Sequence, residues 1–268
     1  MQELGALEEI SEHELRTWSG PTHYVSLQHV VDETNATTSL RIVSNSSLRT
    51  PGNPYSLNSI LAKVPNMLTD PYKIMIRFRT YCRGLSSDVT KAYYQMFTGL
   101  LEKHVRRVVW RYGVKENKWR IFGYRCVSFG DTPAAALLEV CLRKVIVMYT
   151  SIDPLAARRL LNDRFVDDIT SGGTPIEVAR FKGVEDPETL RCDGTMPQIL
   201  INGHLELKAI SVSGEPDGKA LEKLSYAVLG HGYSTEHDTL TVKFKVNVSP
   251  RKRGSPTGPD LTRETLCN

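Results

Sequence analysis

The feature that most constrains this chain is a pair of adjacent acids, Asp167 and Asp168, inside an apolar stretch. Phe165-Val166 precedes the pair, Ile169 follows it, and Ser171-Gly172-Gly173 marks a turn. Successive strand residues point to opposite faces, so adjacent acids can share one site only where the backbone turns. The pattern therefore predicts a strand, an acidic turn and a second strand. An isolated Asp-Asp pair is usually a surface turn, so its context has to decide between the two interpretations.

A third acid, Asp88, lies near the end of a short strand predicted for residues 85–89. If that strand lies beside the acidic turn, three carboxylates from distant parts of the sequence converge at one edge of a sheet. Carboxylate oxygens are the ligands that Mg²⁺ prefers, and two such ions stabilise the attacking and leaving oxygens of an in-line displacement. Asp88, Asp167 and Asp168 therefore indicate a metal-dependent phosphoryl or nucleotidyl transferase.

Positive charge is concentrated in one part of the chain. The formal net charge is only +4, but positions 73–125 contain 13 Lys or Arg residues and three acids. Such a stretch forms either a solvated face or a surface for a polyanion. Aromatic residues are interleaved with the cations, which favours contact with single-stranded nucleic acid. The candidate contact residues are Arg106, Arg107, Trp110, Arg111, Trp119 and Arg120.

Composition argues against several other classes. The five cysteines are scattered without C-x-x-C spacing, which disfavours a zinc site or a disulfide framework and fits a reducing compartment. The N-terminal residues contain no apolar signal-peptide core, and no apolar run approaches the length of a membrane span. We therefore expect a cytoplasmic protein that is neither secreted nor inserted into a membrane.

Periodicity and turn signals predict a mixture of helices and strands. Helices are expected at 2–9, 57–68, 71–78 and 133–149, and after the N-cap signals at Ser11 and Asp153. Hairpins are expected from 23–31 with 40–44 and from 105–112 with 119–127, and strands at 205–212, 227–233 and 239–248. The basic, Pro/Gly-rich stretch 249–259 lacks the apolar residues that a core requires.

Three segments occur in the order typical of retroelement reverse transcriptases. Asp88-Val89-Thr90-Lys91-Ala92-Tyr93-Tyr94-Gln95 resembles motif A, Phe129-Gly130-Asp131-Thr132-Pro133-Ala134 resembles motif B, and Phe165-Val166-Asp167-Asp168 resembles motif C. Upstream, Leu40-Arg41-Ile42-Val43-Ser44-Asn45-Ser46-Ser47 is similar to a motif of the fingers. Within that superfamily the chain most resembles the BEL/Pao-like polyprotein, on segments 56–68, 76–79, 229–233 and 249–254. The resemblance covers nearly the whole chain.

This resemblance implies an α+β fold, the fingers and palm of a right-hand polymerase, with an antiparallel palm sheet backed by helices. Residues 1–65 would form the first part of the fingers, 66–95 the palm with motif A, and 96–128 a basic fingers hairpin. Residues 129–233 would form the palm with motifs B and C. Residues 234–268 would form a strand and a basic, Pro/Gly-rich connector.

The resemblance also implies the catalytic residues. Asp88, Asp167 and Asp168 would bind Mg²⁺ or Mn²⁺, with the Val89 carbonyl as a further ligand. The implied activity is RNA- and DNA-directed DNA synthesis, in which a dNTP is joined to the 3′-hydroxyl of a primer on an RNA or DNA template. The remaining polyprotein domains would be further partners, and a retroelement particle would be a further location.

The nucleotide site follows from the same matched segments. Arg41 would pair with the triphosphate of the incoming nucleotide, and Tyr93 would exclude a 2′-hydroxyl by its bulk. Gly130, Thr132 and Pro133 would shape a loop against template and nucleotide. Core packing for Tyr93 and an ordinary turn for Gly130 are the alternative interpretations.

Some residues depart from the family pattern. Asn45, Lys91 and the short spacing from Gly130 to Pro133 differ from many relatives, and no segment resembles a thumb, ribonuclease H, protease or integrase. The alternative function is therefore a noncatalytic nucleic-acid-binding remnant of a retroelement polymerase. A metal nuclease or other phosphotransferase that uses the same three acids is a third interpretation.

Overall fold

The computed structural model describes residues 5–31, 40–111, 119–183 and 194–213, together with two short strands further along the chain. Two compact units are distinguished, Met1–Leu221 and Glu222–Asn268. The described part of the first contains helices and antiparallel sheets, and that of the second contains a two-stranded antiparallel sheet. The protein is therefore a mixture of helices and antiparallel sheets, which is compatible with the α+β class that the sequence predicts.

The elements of the first unit are named in chain order. They are β1 (Leu7–Glu9), α1 (Glu12–Thr17), β2 (Ser26–Val31), β3 (Leu40–Asn45), α2 (Leu57–Ile60), α3 (Pro71–Arg79), β4 (Arg83–Asp88), β5 (Arg107–Trp110), β6 (Arg120–Tyr124), α4 (Ala134–Met148), α5 (Pro154–Asn162), β7 (Arg164–Phe165), β8 (Asp168–Gly173), α6 (Pro175–Lys182), α7 (Thr195–Ile201) and β9 (Ser211–Val212). Two 3₁₀ helices, Ala92–Gln95 and Leu100–Arg106, lie between β4 and β5. In the second unit, β10 (Gly232–Ser234) pairs with β11 (Thr239–Thr241).

A four-stranded antiparallel sheet, in the order β7-β8-β4-β9, organises the larger part of the first unit. Helices α3, α5 and α6 contact β8, and α4 and α7 pack against α5. The large apolar core between these elements is formed by buried side chains that include Leu85, Leu138, Leu142, Ile146, Leu160, Ile169, Phe181 and Met196. This core gives the sheet a rigid support on which side chains at its ends are held in place.

A smaller sheet, in the order β1-β6-β5, carries the basic part of the sequence. Its apolar core is much smaller and includes Ala6, Val25, Leu57, Val108, Phe122, Tyr124 and Cys126. Strands β2 and β3 form a separate antiparallel pair, in which Ser26 lies opposite Asn45. The two hairpins predicted in this part of the chain are therefore confirmed, although residues 32–39 and 112–118 lie outside the described residues.

Several helix starts follow from their capping residues, as predicted. Asp70 accepts a hydrogen bond from the Tyr72 amide before a proline in the first turn of α3. Asp153 accepts from the amides of Leu155 and Ala156 at the start of α5. Ser11 accepts from the Glu14 amide at the start of α1. A side-chain acceptor at each start satisfies amides that have no partner within the helix.

Two helix predictions are wrong. The helix expected at 2–9 is replaced by β1, which pairs with β6 so that Leu7 lies opposite Tyr124. The helix expected at 57–68 is limited to Leu57–Ile60. Pro65 disfavours a helical conformation at Val64, which helps to end that helical pattern early.

Little is described beyond residue 213. Strand β9 is much shorter than the strand expected at 205–212, and β10 and β11 cover parts of those expected at 227–233 and 239–248. The stretch 249–259 lies outside the described residues. None of the helices in the described part of the chain has the length and apolarity that a bilayer crossing requires.

Candidate active site

The three predicted aspartates lie at one end of the four-stranded sheet. Asp88 is the last residue of β4 and lies directly opposite Asp168, the first residue of β8. The Val89 amide donates a hydrogen bond to the Asp167 carbonyl over 3.0 Å, so the chain beyond β4 is tied to the acidic turn. The strand, acidic turn and strand predicted from the sequence are therefore present, and Asp88 stands beside them.

The turn that carries Asp167 is short and strained. Phe165 and Asp168 are paired, which leaves Val166 and Asp167 as the turn residues. Val166 has a φ of 57°, a left-handed conformation that a β-branched residue rarely adopts. Glycine is the usual residue where a two-residue hairpin needs positive φ at its first turn position. Backbone strain of this kind persists only where the surroundings hold it, and it is frequent at functional sites.

Burial, and then the charges of the neighbouring acids, raise the pKa values of Asp167 and Asp168. Asp168 is exposed at the end of the sheet, but desolvation by the surrounding protein, and then the charges of Asp167 and Asp88, raise its pKa to about 6. Burial, and then the charge of Asp88, also raises the pKa of Asp167, whereas a backbone hydrogen bond, Lys208 and Arg164 act in the opposite direction. Both carboxyl groups are thus desolvated and close to like charge, so a bound cation would favour their ionised forms.

Lys208 is a functional candidate that the sequence interpretation missed. Its ammonium group forms an ion pair with the Asp88 carboxylate, and its amide donates to the Asp88 carbonyl over 2.9 Å. Val89 and Leu207 form an antiparallel bridge that brings the Lys208 segment beside β4. The only sequence signal was a lone cation in the β-rich run 205–212, and such a signal does not reveal which strand it will face.

The donor set fits a divalent cation in its chemistry. Asp88, Asp167 and Asp168 supply only carboxylate oxygens, and the Lys208 ammonium already stands against Asp88 as a positive charge. As the side chains stand, no three His, Cys, Asp or Glu residues in the described ranges are grouped closely enough to hold a metal ion. Binding would therefore require the carboxylates to turn towards a common point. Lys208 would compete with the cation for the Asp88 carboxylate.

Tyr93 lies close to the acids. It belongs to the 3₁₀ helix Ala92–Gln95 and is 9% exposed. Its ring centroid is 4.5 Å from that of Phe129. Burial, and then the charge of Asp167, raises the pKa of Tyr93, which places its ring within electrostatic reach of the acidic turn. Both earlier interpretations remain compatible with this position, because the ring packs in the core and also borders the site.

The loop from Gly130 to Pro133 is held by β3 and α2. Gly130 has a φ of 103°, and a Cβ at this position would lie 2.5 Å from the Ser44 carbonyl oxygen. The Asn58 side chain donates to the Gly130 carbonyl and accepts from the Thr132 amide, both over 2.8 Å. Thr132 is exposed, whereas Pro133 is buried at the start of α4. Glycine is thus required by its own backbone conformation and by the approach of β3.

Two of the predicted nucleic-acid contacts are not on the surface. Arg106 and Arg107 are each 4% exposed. Arg106 donates from Nε to Asp131 over 2.8 Å, and Nη2 of Arg107 lies 2.7 Å from Nδ1 of His104. Asp131 also accepts from the Ser46 hydroxyl over 2.7 Å. A surface role for Arg106 and Arg107 is therefore corrected, because their guanidinium groups serve internal contacts.

The end of the basic hairpin next to residues 112–118, which we call its tip and which comprises Trp110, Arg111 and Trp119, has the predicted exposed aromatics. Trp110 is 41% exposed and Trp119 is 60% exposed. The Arg111 guanidinium lies 5.1 Å from the Trp119 ring centroid. Arg120 pairs with Glu9 over 3.4 Å at a partly open position. Adjacent cations and exposed aromatic faces are the groups that bind phosphates and bases of a single strand.

Arg41 is placed only through its backbone. It lies in β3, opposite Val30 of β2, and its side chain lies outside the described part of the chain. Ser44, three residues further along the same strand, lies close to Gly130. The strand that carries Arg41 therefore borders the Gly130 loop, and the proposed contact of Arg41 with a triphosphate stays a prediction.

Comparison with known proteins adds no relative. No family model matches this chain, and the search of curated proteins found no significant match. The functional assignment therefore depends on the residues and geometry of the chain itself.

Proposed function

We propose that this chain is the fingers and palm of a reverse transcriptase from a BEL/Pao-like LTR retrotransposon polyprotein. The observation that carries the proposal is the meeting of Asp88 with Asp167 and Asp168 at one end of an antiparallel sheet. These residues come from two segments that each resemble a polymerase motif in the expected order. The proposed reaction is RNA- and DNA-directed addition of a dNTP to a primer 3′-hydroxyl, in the cytoplasm or in a retroelement particle.

The three aspartates would hold Mg²⁺ or Mn²⁺. When bound, the metal supplies Lewis-acid activation of the primer hydroxyl and neutralises charge on the departing pyrophosphate. Asp88 approaches from β4 and the other two acids from the turn and β8, so the donors are fixed to two neighbouring strands. The Lys208 ammonium offsets the negative charge of Asp88 until the cation binds. The Val89 carbonyl would be a further ligand.

Substrate selection would come from the residues around the acids. The Tyr93 ring packs on Phe129 and would occupy the space that a 2′-hydroxyl needs, which favours deoxynucleotides. The loop of Gly130, Thr132 and Pro133 directly follows Phe129 in the chain and would face template and nucleotide. Arg41 would bind the triphosphate with a charge-assisted hydrogen bond.

Template and primer would contact the exposed part of the basic hairpin. Its tip has two exposed aromatic side chains, Trp110 and Trp119, and one cation, Arg111. Stacking on aromatic side chains tolerates any base, as a polymerase requires. Arg120 would add a further positive charge beside them.

A noncatalytic nucleic-acid-binding remnant is the second candidate. The observation in its favour is that the carboxylates of the described residues are not grouped for a metal ion as they stand. Such a remnant would keep the exposed aromatic tip of the basic hairpin and would lack primer extension.

A primer-extension assay separates the two. The full chain and an Asp167→Asn, Asp168→Asn variant are compared on RNA and DNA templates with a primer, dNTPs and Mg²⁺. A polymerase extends the primer only with intact aspartates, and the variant still binds the duplex. Equal binding without extension by either protein would establish the remnant, and cleavage of the template instead of extension would identify a nuclease.

A further inference from the structure

A fully buried ion pair lies behind the acidic turn. Glu139 of α4 and Arg164 of β7 have side chains that are 0% and 1% exposed, and Nη1 of Arg164 is 2.8 Å from Oε2 of Glu139. Arg143 donates from Nε to Oε1 of Glu139 over 2.6 Å. The chemistry proposed above uses neither member of the pair.

The same guanidinium also binds the backbone of the turn. Nη1 of Arg164 donates to the Val166 carbonyl over 2.7 Å. Val166 is the residue with a φ of 57°, and a strained conformation persists only where surrounding groups enforce it. A buried guanidinium is a rigid donor with a planar geometry, so it fixes the direction of the carbonyl that it binds.

Both carbonyls of the turn therefore have a donor. Arg164 binds that of Val166, and the Val89 amide binds that of Asp167. The second bond comes from the residue directly after Asp88. Together they fix the turn relative to the end of β4, where the third acid stands, and so they fix the direction in which the Asp167 side chain leaves the backbone.

The ion pair is a costly way to fill the core. Well-packed apolar side chains of similar volume often stabilise a fold as well as a buried ion pair does, or better. Nε and Nη2 of Arg164 and Oε2 of Glu139 also have no hydrogen-bond partner within the described part of the protein, so the contact of Arg164 with Glu139 is electrostatic. Stability alone therefore does not explain why Arg164 and Glu139 are buried here. The hydrogen bond from Arg164 to the Val166 carbonyl provides a specific reason.

We propose that Glu139 and Arg164 are positioning residues for the metal-binding turn. Helix α4 holds Glu139, Glu139 orients Arg164, and Arg164 holds the Val166 carbonyl so that Asp167 faces the same site as Asp88. This inference rests on the proposed function, because it takes the three aspartates to be ligands of a divalent cation. Residues that orient metal ligands commonly change metal affinity when they are replaced.

The test is Mn²⁺ binding to the full chain without nucleic acid or nucleotide. Free Mn²⁺ is measured by electron paramagnetic resonance for the wild-type protein and for Glu139→Leu, Arg164→Met, which replaces the pair by apolar side chains. We expect the double variant to stay folded and its half-saturating Mn²⁺ concentration to rise about 10-fold or more. Primer extension, measured in parallel, should lose kcat while the KM for primer and template stays unchanged.

Two further variants separate positioning from stability. Arg164→Lys keeps a cation and a donor beside Glu139, and it should recover most of the Mn²⁺ affinity that the double variant loses. Arg180→Met removes a different arginine, which pairs with Asp153 at the start of α5 over 2.8 Å. It should change thermal stability without changing Mn²⁺ affinity, and it therefore serves as the control.

The outcomes are distinct. Wild-type affinity in a folded double variant would overturn the positioning role and leave the proposed function intact. Failure of the wild-type chain to bind Mn²⁺ would overturn the proposed function and, with it, this inference. If the double variant does not fold, Glu139→Gln carries the same test: Mn²⁺ affinity below that of Arg180→Met supports the inference, and equal affinity overturns it.

Discussion

The acidic hairpin of β7 and β8 and the basic hairpin of β5 and β6 are both antiparallel, but their charged side chains have different neighbours. Asp88, Asp167 and Asp168 lie at one end of neighbouring strands, and burial and nearby acids raise the pKa values of the two acids of the hairpin. In the basic region, by contrast, Arg106 is matched by Asp131. Like charges thus lie close together in the acidic hairpin, whereas Arg106 in the basic region forms an internal ion pair.

The two regions also differ in the size of their apolar cores. The acidic hairpin lies on the large apolar core that includes Leu138, Leu142 and Ile169. The smaller sheet has a modest apolar core, and ion pairs such as that of Lys103 with Glu8 and Glu14 supplement it. Positive charge in the sequence is therefore a poor guide to positive charge on the surface. Removing charge should have opposite effects in the two regions.

The largest effect is expected on the primer extension that we propose for the acidic hairpin. Asp167→Asn with Asp168→Asn should reduce primer extension by about 1,000-fold or more, because metal stabilisation of the transition state contributes several kcal/mol. The measurement is steady-state incorporation of dNTPs, with duplex affinity from fluorescence anisotropy as the control. If the variant extends the primer about as fast as the wild-type chain, the acidic hairpin is not the catalytic site that we propose.

The next effect is on stability in the basic region. Asp131→Ala leaves the buried Arg106 guanidinium without its main partner, and the free energy of unfolding should fall by about 3–5 kcal/mol. Urea unfolding measures this change. Glu9→Ala, which removes the partly open partner of Arg120, is the matched control and should change stability by less than about 1 kcal/mol. Equal losses in the two variants would contradict the distinction between internal and surface charge.

A smaller effect is expected on nucleic-acid affinity at the tip of the basic hairpin. Trp119→Ala removes an exposed ring that faces Arg111, and it should weaken single-stranded DNA binding by about 1–3 kcal/mol. Thermal stability should not change, because the ring is 60% exposed. Anisotropy titration measures the affinity, and Tyr72→Ala on the exposed face of α3 is the control. If both variants bind equally well, the tip is not the contact surface.

The smallest effect is the dependence of stability on pH in the acidic hairpin. The folded pKa of Asp168, about 6, lies above its ordinary value of 3.8, so folding favours the protonated acid. That contribution is complete below about pH 4 and is lost as the pH rises through about 6. At pH 8 Asp168→Asn should therefore be more stable than the wild-type chain, by about 1 kcal/mol once solvent screening of this exposed group is included.

This gain should disappear near pH 4, where the wild-type acid is protonated, and Mg²⁺ at pH 8 should stabilise only the wild-type chain. Thermal unfolding across the pH range measures both. A variant that is less stable than the wild-type chain at pH 8 would contradict the claim that negative charge in the acidic hairpin opposes folding.

Local patterns predicted much of the framework. The hairpins, the helix α4 and the starts of α3 and α5 follow from turn residues and capping residues that act within a few positions. Predictions failed where a distant segment decided the outcome. β1 forms because Leu7–Glu9 meets the free edge of β6, and residues 61–68 do not continue the helix that begins at Leu57.

The residues of the candidate site also fall into those that a local sequence pattern indicated and those that only contacts between distant segments revealed. The sequence indicated Asp88, Asp167, Asp168, Tyr93 and the Gly130 loop, because each belongs to a short motif. It did not indicate Arg164 or Glu139, and it showed Lys208 only as a lone cation in a β-rich run, because the importance of these residues comes from what they contact. Arg106 and Arg107 were assigned to the surface because composition records charge and cannot record burial.

The sequence by itself determined the acids and the hairpin that carries two of them, because a hairpin with adjacent aspartates is specified by consecutive residues. Only the tertiary structure decided which charges would be compensated. Register placed Asp88 opposite Asp168, Lys208 came to pair with Asp88, and packing turned Arg106 inward to Asp131. The physical reason is that an ion pair depends on distance and burial, and both are set by contacts between segments far apart in the chain.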